Sequence, residues 1–439
     1  MGKYFGTDGI RGEVGKDVTV AMVKAIGLSL KSTFNCVEIV IAKDTRENGA
    51  DFVGALSEGA RACGIDVWDA GVLPTPALAY YAHEKGKIGV MVTASHNPYT
   101  DNGIKIFNKG KKLTPNEEAK IEAFIDGEMR DDAKAKGTHR KTDDLDAFYK
   151  ALYQPFMDIE VNVSMALDMA NGATYTMAPA VLSPMVDEVT TLNITPDGRN
   201  INAGCGSTHL DYLKAHMIEN KLDIGFAFDG DGDRTLAVDH QGNVVDGDLL
   251  IYVLATWLKK HQRLNKQTVV LTKMSNPGII KAFEEKGIKV IKTDVGDKYV
   301  MEALLDKNLS LGGENSGHII MPELLPTGDG LFIAANILRI LQEEKQSLAQ
   351  LIGDVELYPQ MTKNVKNVDK SVCDHPVLLK TIEKVKAKLN EPSLVLIRPS
   401  GTEPVVRITV STKSKEAMHE AITILENTIL KYGRDDNEA

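Results

Sequence analysis

Apolar positions along the first 110 residues switch between two periods. Short runs that are almost wholly apolar, Val37 to Ala42, Ile65 to Trp68 and Ile88 to Thr93, predict buried strands. Between them Val53, Leu56, Ala60 and Cys63 recur at three- and four-residue spacing, which predicts a helix, and another helix is expected from about Pro76. Such alternation marks an α/β layered domain. It then recurs. Strands are expected near Val163 to Asp168 and Ile224 to Phe228 with helical segments between, and a third unit reads as a helix from near Asp248, a strand at Thr268 to Thr272, a helix at Gly278 to Glu285, a strand at Lys289 to Ile291 and a helix from Asp297. After about Pro359 the pattern changes to a strand near Val365, a helix from Pro376 to Leu389, strands at Leu394 to Arg398 and Val405 to Val410, and an amphipathic helix from Lys415 to Leu430. That last stretch reads as a smaller α+β domain with a solvated acidic tail at residues 435 to 439.

A faint echo runs through the first three units. Ile88 to Thr93 leads into a polar loop much as Ile224 to Asp229 does, and Leu309 to Gly313 has the same place before Glu314. Each unit is therefore expected to deliver one loop from a strand end, where open α/β sheets bind ligands. A chain of 439 residues is too long for one ordinary core, and three or four domains are expected from length alone. We place them at 1–155, 156–247, 248–359 and 360–439.

Two of the loops carry distinctive chemistry. Thr93-Ala94-Ser95-His96-Asn97-Pro98 offers a serine hydroxyl at the end of an apolar run, and Asp229-Gly230-Asp231-Gly232-Asp233-Arg234 offers three carboxylates spaced two apart. Carboxylates packed this closely repel one another unless a cation lies between them, and oxygen ligands beside a phosphate suit Mg²⁺. A calcium EF-hand is excluded, because that loop needs Gly at its sixth place and Glu at its twelfth, where this chain has Arg234 and His240. Arg234 would face a transferring phosphoryl group and spread its charge. Taken alone, Ser95 would be an N-cap or turn residue; beside the aspartate loop it reads as a nucleophile for phosphoryl transfer. Arg398-Pro399-Ser400-Gly401-Thr402 has the parts of a phosphate cradle, or of a plain hairpin turn. Glu314 and Ser316 flank Asn315 on a glycine-bounded loop that is either a ligand contact or a capped surface turn.

These segments, with Phe5 to Gly12, Lys43 to Arg46, Asp101 to Lys105, Ala170 to Tyr175, Gly313 to His318 and Arg398 to Pro404, resemble the α-D-phosphohexomutases, and among them the bacterial phosphoglucosamine mutase branch. The resemblance implies three similar α/β mixed-sheet domains and a smaller α+β C-terminal domain around one central cleft. It makes Ser95 the phosphoserine, whose phosphate would join Asp229, Asp231 and Asp233 on Mg²⁺. It implies that Glu314, Asn315 and Ser316 grip sugar hydroxyls, and that Arg398, Ser400, Gly401 and Thr402, assisted by Arg407, hold the nonreacting phosphate. Lys105 and His318 are its candidates for proton transfer, Lys105 then needing a depressed pKa, while Arg11 and Lys43 add positive field near Ser95. His96 is given no role. Lys298 is a departure, since the family more often has Arg there; it keeps the charge and gives up the bidentate fork. The implied reaction interconverts glucosamine 6-phosphate and glucosamine 1-phosphate on the way to UDP-N-acetylglucosamine and the cell wall, with a hexose 1,6-bisphosphate as intermediate and activator. Mutases acting on mannose or glucose phosphates, a metal-dependent phosphatase and a silent sugar-phosphate-binding protein are the competing readings.

Composition narrows the partners. A net charge of −10 argues against general nucleic-acid or anionic-membrane binding, so basic residues must be concentrated where an anionic sugar phosphate binds. No stretch approaches the ~20 apolar residues of a membrane helix, and no basic-then-apolar leader is visible. Cys36, Cys63, Cys205 and Cys373 are far apart, which fits reduced thiols and a cytoplasmic protein. The sequence leaves the oligomeric state, a homodimer included, open.

Overall fold

A computed structural model of the chain describes residues 2–127, 136–389, 392–399 and 405–433. Ser400, Gly401, Thr402 and the acidic tail lie outside the described residues. The first sheet contains β1 (Ile10–Glu13), β2 (Glu38–Lys43), β3 (Asp66–Val72), β4 (Ile88–Val92), β5 (Asp101–Asn108), β6 (Lys111–Lys112) and β7 (His139–Lys141). Its order is β1-β5-β4-β2-β3-β7, with β6 on the far end of β5. β2, β3 and β4 are parallel and β5 runs against β4, so the sheet is mixed. The central strands β2, β4 and β5 are largely buried because helices cover them, and Ile39, Ile41, Val90, Val92, Ile104 and Ile106 share one core with Val23, Ile26, Leu30, Phe52 and Leu56. The two covering helices, Val20–Phe34 and Gly49–Ala62, meet backbone to backbone: a Cβ at Gly59 would lie 2.2 Å from the Lys24 carbonyl oxygen.

The second sheet repeats the plan. It contains β8 (Val161–Asp168), β9 (Val186–Leu192), β10 (Ile224–Phe228), β11 (Thr235–Asp239) and β12 (Val244–Val245), in the order β12-β11-β10-β8-β9. β8 is parallel to β9 and β10, and β11 returns antiparallel to β10. The path β11-β10-β8-β9 therefore reproduces β5-β4-β2-β3, and the serine loop between β4 and β5 is the topological counterpart of the aspartate loop between β10 and β11. The faint sequence echo is a structural repeat.

Four further strands follow: β13 (Thr268–Thr272) parallel to β14 (Lys289–Thr293), and β15 (Gly312–Gly313) antiparallel to β16 (Ile319–Ile320). β15 and β16 bracket Glu314 to His318, the same hairpin position again. The strand expected from Leu309 is reduced to two residues, since the Leu309 amide closes the preceding helix on the Leu304 carbonyl (2.9 Å) and the Ser310 hydroxyl accepts the Asn265 amide (2.8 Å). The C-terminal part is the expected α+β layer, β17 (Gln360–Lys366), β18 (Leu394–Pro399) and β19 (Val405–Ser411) in the order β17-β19-β18, all antiparallel, with helices Pro376–Leu389 and Lys415–Tyr432 packed on Val406, Ile408 and Val410.

By packing, the chain forms two compact units: Met1–Lys266 with Gly296–Ile352, and Gln267–Val295 with Gly353–Ala439. The serine, aspartate and Glu314 loops all belong to the first.

Candidate active site

β4 and β10 are buried at every position, so the loops that leave their ends start inside the protein. Ser95, Asp229, Asp231 and Asp233 are all buried, and one carboxylate oxygen from each aspartate lies within 4.8 Å of the others. The two loops touch directly. The Ser95 hydroxyl donates to Asp229 Oδ2 at 2.6 Å, and a Cβ at Gly230 would lie 2.4 Å from the Ser95 carbonyl oxygen, so only glycine permits this approach.

Lys105 alternates with the core residues Ile104 and Ile106 on β5 and so points to the opposite face. Its ammonium lies 2.7 Å from Asp231 Oδ2, 2.7 Å from Asp233 Oδ2 and 2.9 Å from Asp8 Oδ2. Burial alone would lower its pKa, but Asp231, Asp233 and Asp8 outweigh burial and hold it well above the usual lysine value. These carboxylates hold Lys105 as a buried ammonium; the depressed pKa that proton abstraction would need belongs to a site in which Mg²⁺ takes up the charge of the aspartates.

Burial, with repulsion from Asp233 and Asp231, holds Asp229 well above the usual carboxylate range. Asp233 is desolvated too, yet Lys105 and His318 hold it well below that range. Asp231 Oδ2 also accepts the Thr75 hydroxyl at 2.5 Å. Asp231 Oδ1 and Asp233 Oδ1 are buried with no hydrogen bond, the latter with only the longer ion-pair contacts of His318 and Arg234. Two buried carboxylate oxygens without hydrogen bonds in a three-carboxylate cluster fit a small hard dication.

The groups around Ser95 are cationic. Burial together with Arg234 and Arg11 pushes His96 down to about 3, leaving a neutral imidazole with Nδ1 3.3 Å from the Ser95 hydroxyl. Arg11 pairs with Asp8, Arg234 donates its backbone amide to Asp229 Oδ1 (3.2 Å) and sets Nε 3.8 Å from Asp233 Oδ1, and Nε of each guanidinium is buried without a hydrogen bond. Such donors suit an anion. Lys43, at the end of β2, turns its ammonium to the Asp44 carbonyl (3.4 Å).

His318 is buried against the aspartate loop, with Nδ1 3.5 Å from Asp233 Oδ1 and Nε2 3.4 Å from Asp297 Oδ2. Burial would lower its pKa, but Asp233 and Asp297 raise it. Glu314 accepts the Gly296 amide on Oε1 (3.0 Å), the Asn315 carbonyl accepts the Gly247 amide (3.1 Å), and Ser316 Oγ is buried with no partner. In the second unit Arg398 and Arg407 are directly opposite partners on β18 and β19.

Sequence reasoning missed Asp8, which pairs with Arg11, Lys105 and Lys112, and Thr75, which orients Asp231. Asp8 lay in a quoted segment without a role; Thr75, an ordinary helix-start residue between two prolines, carried no signal.

Comparison with known proteins decides the family. Models of the phosphoglucomutase/phosphomannomutase family match in order: α/β/α domain I at residues 2–131, domain II at 146–242, domain III at 246–358 and the C-terminal domain at 362–423. The chain belongs to the phosphohexomutase family. A phosphoglucosamine mutase of Geobacillus kaustophilus is 41% identical over 430 residues, covering 95% of this chain and 96% of that protein. One from Thermotoga maritima is 40% identical over 422 residues, covering 96% and 97%. Among solved structures, a phosphoglucomutase/phosphomannomutase family protein of Burkholderia thailandensis shares the phosphohexomutase fold with a TM-score of 0.80 at 24% identity, covering 98% of each chain. Aspergillus fumigatus N-acetylphosphoglucosamine mutase, solved with GlcNAc-6P and magnesium, has a TM-score of 0.70 at 17% identity, covering 98% of this chain and 96% of that one. Among the described residues no helix is long and apolar enough to cross a membrane, and none of the four cysteines is in a disulfide.

Proposed function

We propose that the chain is a phosphoglucosamine mutase, interconverting glucosamine 6-phosphate and glucosamine 1-phosphate through phosphorylated Ser95 and a 1,6-bisphosphate intermediate. The observation that carries the mechanism is the 2.6 Å contact between the Ser95 hydroxyl and Asp229, inside a buried carboxylate cluster with two oxygens to spare. The full-length relatives support the amino sugar as substrate.

In this reading the phosphoryl group on Ser95 passes to the free hydroxyl of the bound monophosphate, and the other phosphate of the resulting bisphosphate then returns to Ser95. Asp229, Asp231 and Asp233 would hold Mg²⁺, which when bound supplies a fixed positive charge beside the phosphoryl oxygens. Arg11 and Arg234 face the same charge with Nε groups that make no hydrogen bond to the protein. Lys105, 2.7 Å from Asp231 and from Asp233, and His318, next to Asp233, are the proton carriers of this reading. Glu314, Asn315, Ser316 and Lys43 bind the sugar. Arg398, Ser400, Gly401, Thr402 and Arg407 bind the phosphate that is not reacting, and a hexose 1,6-bisphosphate restores the phosphoserine when it is lost. The four domains are taken as 1–155, 156–247, 248–359 and 360–439, in a cytoplasmic enzyme that supplies peptidoglycan precursor synthesis.

One assay tests the reading. Purified protein with Mg²⁺ is given glucosamine, glucose or mannose 6-phosphate and followed by ³¹P NMR, with inorganic phosphate measured in parallel. Glucosamine phosphate isomerisation without net phosphate release is expected, together with phosphate on Ser95 and none of this activity in Ser95→Ala. Net hydrolysis, or a Ser95→Ala protein that still isomerises, would refute it.

A further inference from the structure

The loop that carries Ser95 is held by groups that no chemical step uses. Arg46 follows β2, is 1% exposed, and has a protein acceptor for all five of its N–H donors. Nε donates to Asp44 Oδ2 (2.9 Å), Nη1 to the carbonyls of Pro98 and of Asp101 (2.9 Å for the latter), and Nη2 to those of Ser95 and Asn97 (2.9 Å each). Asn202, 7% exposed, reaches two of the same carbonyls from the other α/β layer, with Nδ2 2.9 Å from the Ser95 oxygen and 3.2 Å from that of Asn97. Each of these carbonyls thus accepts two donors. On the other side of Ser95, its amide donates to the Thr93 hydroxyl (2.8 Å), which donates to Asp44 (2.6 Å).

The arrangement has a conformational consequence. Ser95 has φ +54°, in the left-handed region that L-residues other than glycine enter only when their surroundings demand it. With both flanking peptides held, that conformation is the one that aims Oγ at Asp229.

We propose that Arg46 and Asn202 are positioning residues for phosphoryl transfer. They clamp the Ser95 and Asn97 carbonyls from two sides and so keep the serine oxygen pointed at the aspartate loop. The proposal rests on Ser95 carrying the phosphoryl group. The Arg46 donors and Asn202 Nδ2 are all engaged by the protein itself, so the clamp acts on turnover and not on affinity.

The test uses the full-length protein with Mg²⁺ and the variants Asn202→Ala, Arg46→Lys and Arg46→Ala, read by kcat, KM for glucosamine 6-phosphate, thermal midpoint and the ³¹P resonance of phosphoserine. Asn202→Ala is expected to lower kcat about 10-fold and the Arg46 variants about 100-fold or more, because the guanidinium fork cannot be rebuilt by an ammonium and a misplaced nucleophile reacts far more slowly. KM should stay within about twofold, and the phosphoserine resonance should broaden or shift as the loop samples other orientations. Folded variants with wild-type kcat, or with a raised KM and unchanged kcat, overturn the clamp. If the Arg46 variants fail to fold, Asn202→Ala decides alone, since it removes only one of two donors from each carbonyl. An active wild type without phosphate on Ser95 would overturn the phosphoserine reading itself; a phosphorylated, active wild type beside an unimpaired Asn202→Ala overturns only the clamp.

Discussion

Replacing Thr75 with Val isolates the contribution of one hydroxyl to the aspartate loop and to the metal binding proposed for it. Thr75 is buried, its amide donates to the Asp231 carbonyl (2.9 Å) and its hydroxyl to Asp231 Oδ2 (2.5 Å). Oδ2 also accepts Lys105, whereas Oδ1 has no partner and is the oxygen available to a cation. Valine keeps the shape of the side chain and the backbone contact, so the change removes the bond that fixes the carboxylate plane. A hydrogen bond to a charged acceptor contributes about 1.5 to 3 kcal/mol, and with Lys105 still in place the lower end applies. That predicts an apparent Mg²⁺ activation constant raised about 10-fold, with kcat at saturating Mg²⁺ falling by no more than a few-fold. Titrating isomerase activity with Mg²⁺ measures both quantities. The rise in thermal midpoint that Mg²⁺ produces should need about 10-fold more metal, a readout independent of activity. Thr75→Ser should restore both curves. A Thr75→Val protein with the wild-type Mg²⁺ curve, or one impaired equally at every Mg²⁺ concentration, would refute the assignment of Thr75 to the metal loop.

Chelation with EDTA should abolish isomerisation and Mg²⁺ should restore it, while Asp231→Asn should bind glucosamine 6-phosphate nearly normally and turn over slower by several orders of magnitude; full activity in EDTA contradicts both. Arg398→Ala should weaken glucosamine 6-phosphate and 1-phosphate by a similar factor, roughly 10- to 150-fold for one charge-assisted contact, and a calorimetric loss confined to one substrate would show that the arginine has another task. Asp329, buried at the N-cap of the helix Gly330–Glu344 under Tyr149 and Tyr153, is pushed by burial from 3.8 up to about 6. The native chain then holds that proton more tightly than the unfolded one, so its stabilising effect is complete below about pH 4 and is lost as pH rises through about 6, a change of about 3 kcal/mol at ~1.36 kcal/mol per unit. Denaturant midpoints should show this slope in the wild type and lack it in Asp329→Asn; a difference between the two that does not vary with pH would contradict the shift. Gly59→Ala should destabilise by about 1 to 3 kcal/mol in urea titrations, because its Cβ would collide with the Lys24 carbonyl, and a neutral result would mean that the two helices separate readily.

The secondary structure and the chemical loops were legible in the sequence because both depend on local pattern. Strands such as Ile224–Phe228 and Thr268–Thr272 and the helix Pro376–Leu389 lie where period and flanking residues put them. Ser95 and the three aspartates were legible because a lone hydroxyl and closely spaced carboxylates are chemically uncommon at the ends of apolar runs. Where local pattern was weak, tertiary contacts prevailed, as at Leu309 and Ser310, where backbone bonds to Leu304 and from Asn265 displaced a strand. The ionisation of Lys105 was not legible for a related reason. Its pKa depends on which charges stand within 3 Å, and those charges come from residues 8, 231 and 233, far away along the chain. Arg46, Thr75 and Asn202 have unremarkable types and neighbours; the roles proposed for them arise because folding sets their donors against a carbonyl or carboxylate far along the chain, with Arg46 49 positions from Ser95, Asn202 107 and Thr75 156 from Asp231. The sequence by itself determined which groups can do chemistry. Only the fold decided how they are held and charged, because hydrogen bonding and electrostatics act through space and a side chain's environment is set by partners that no local window contains.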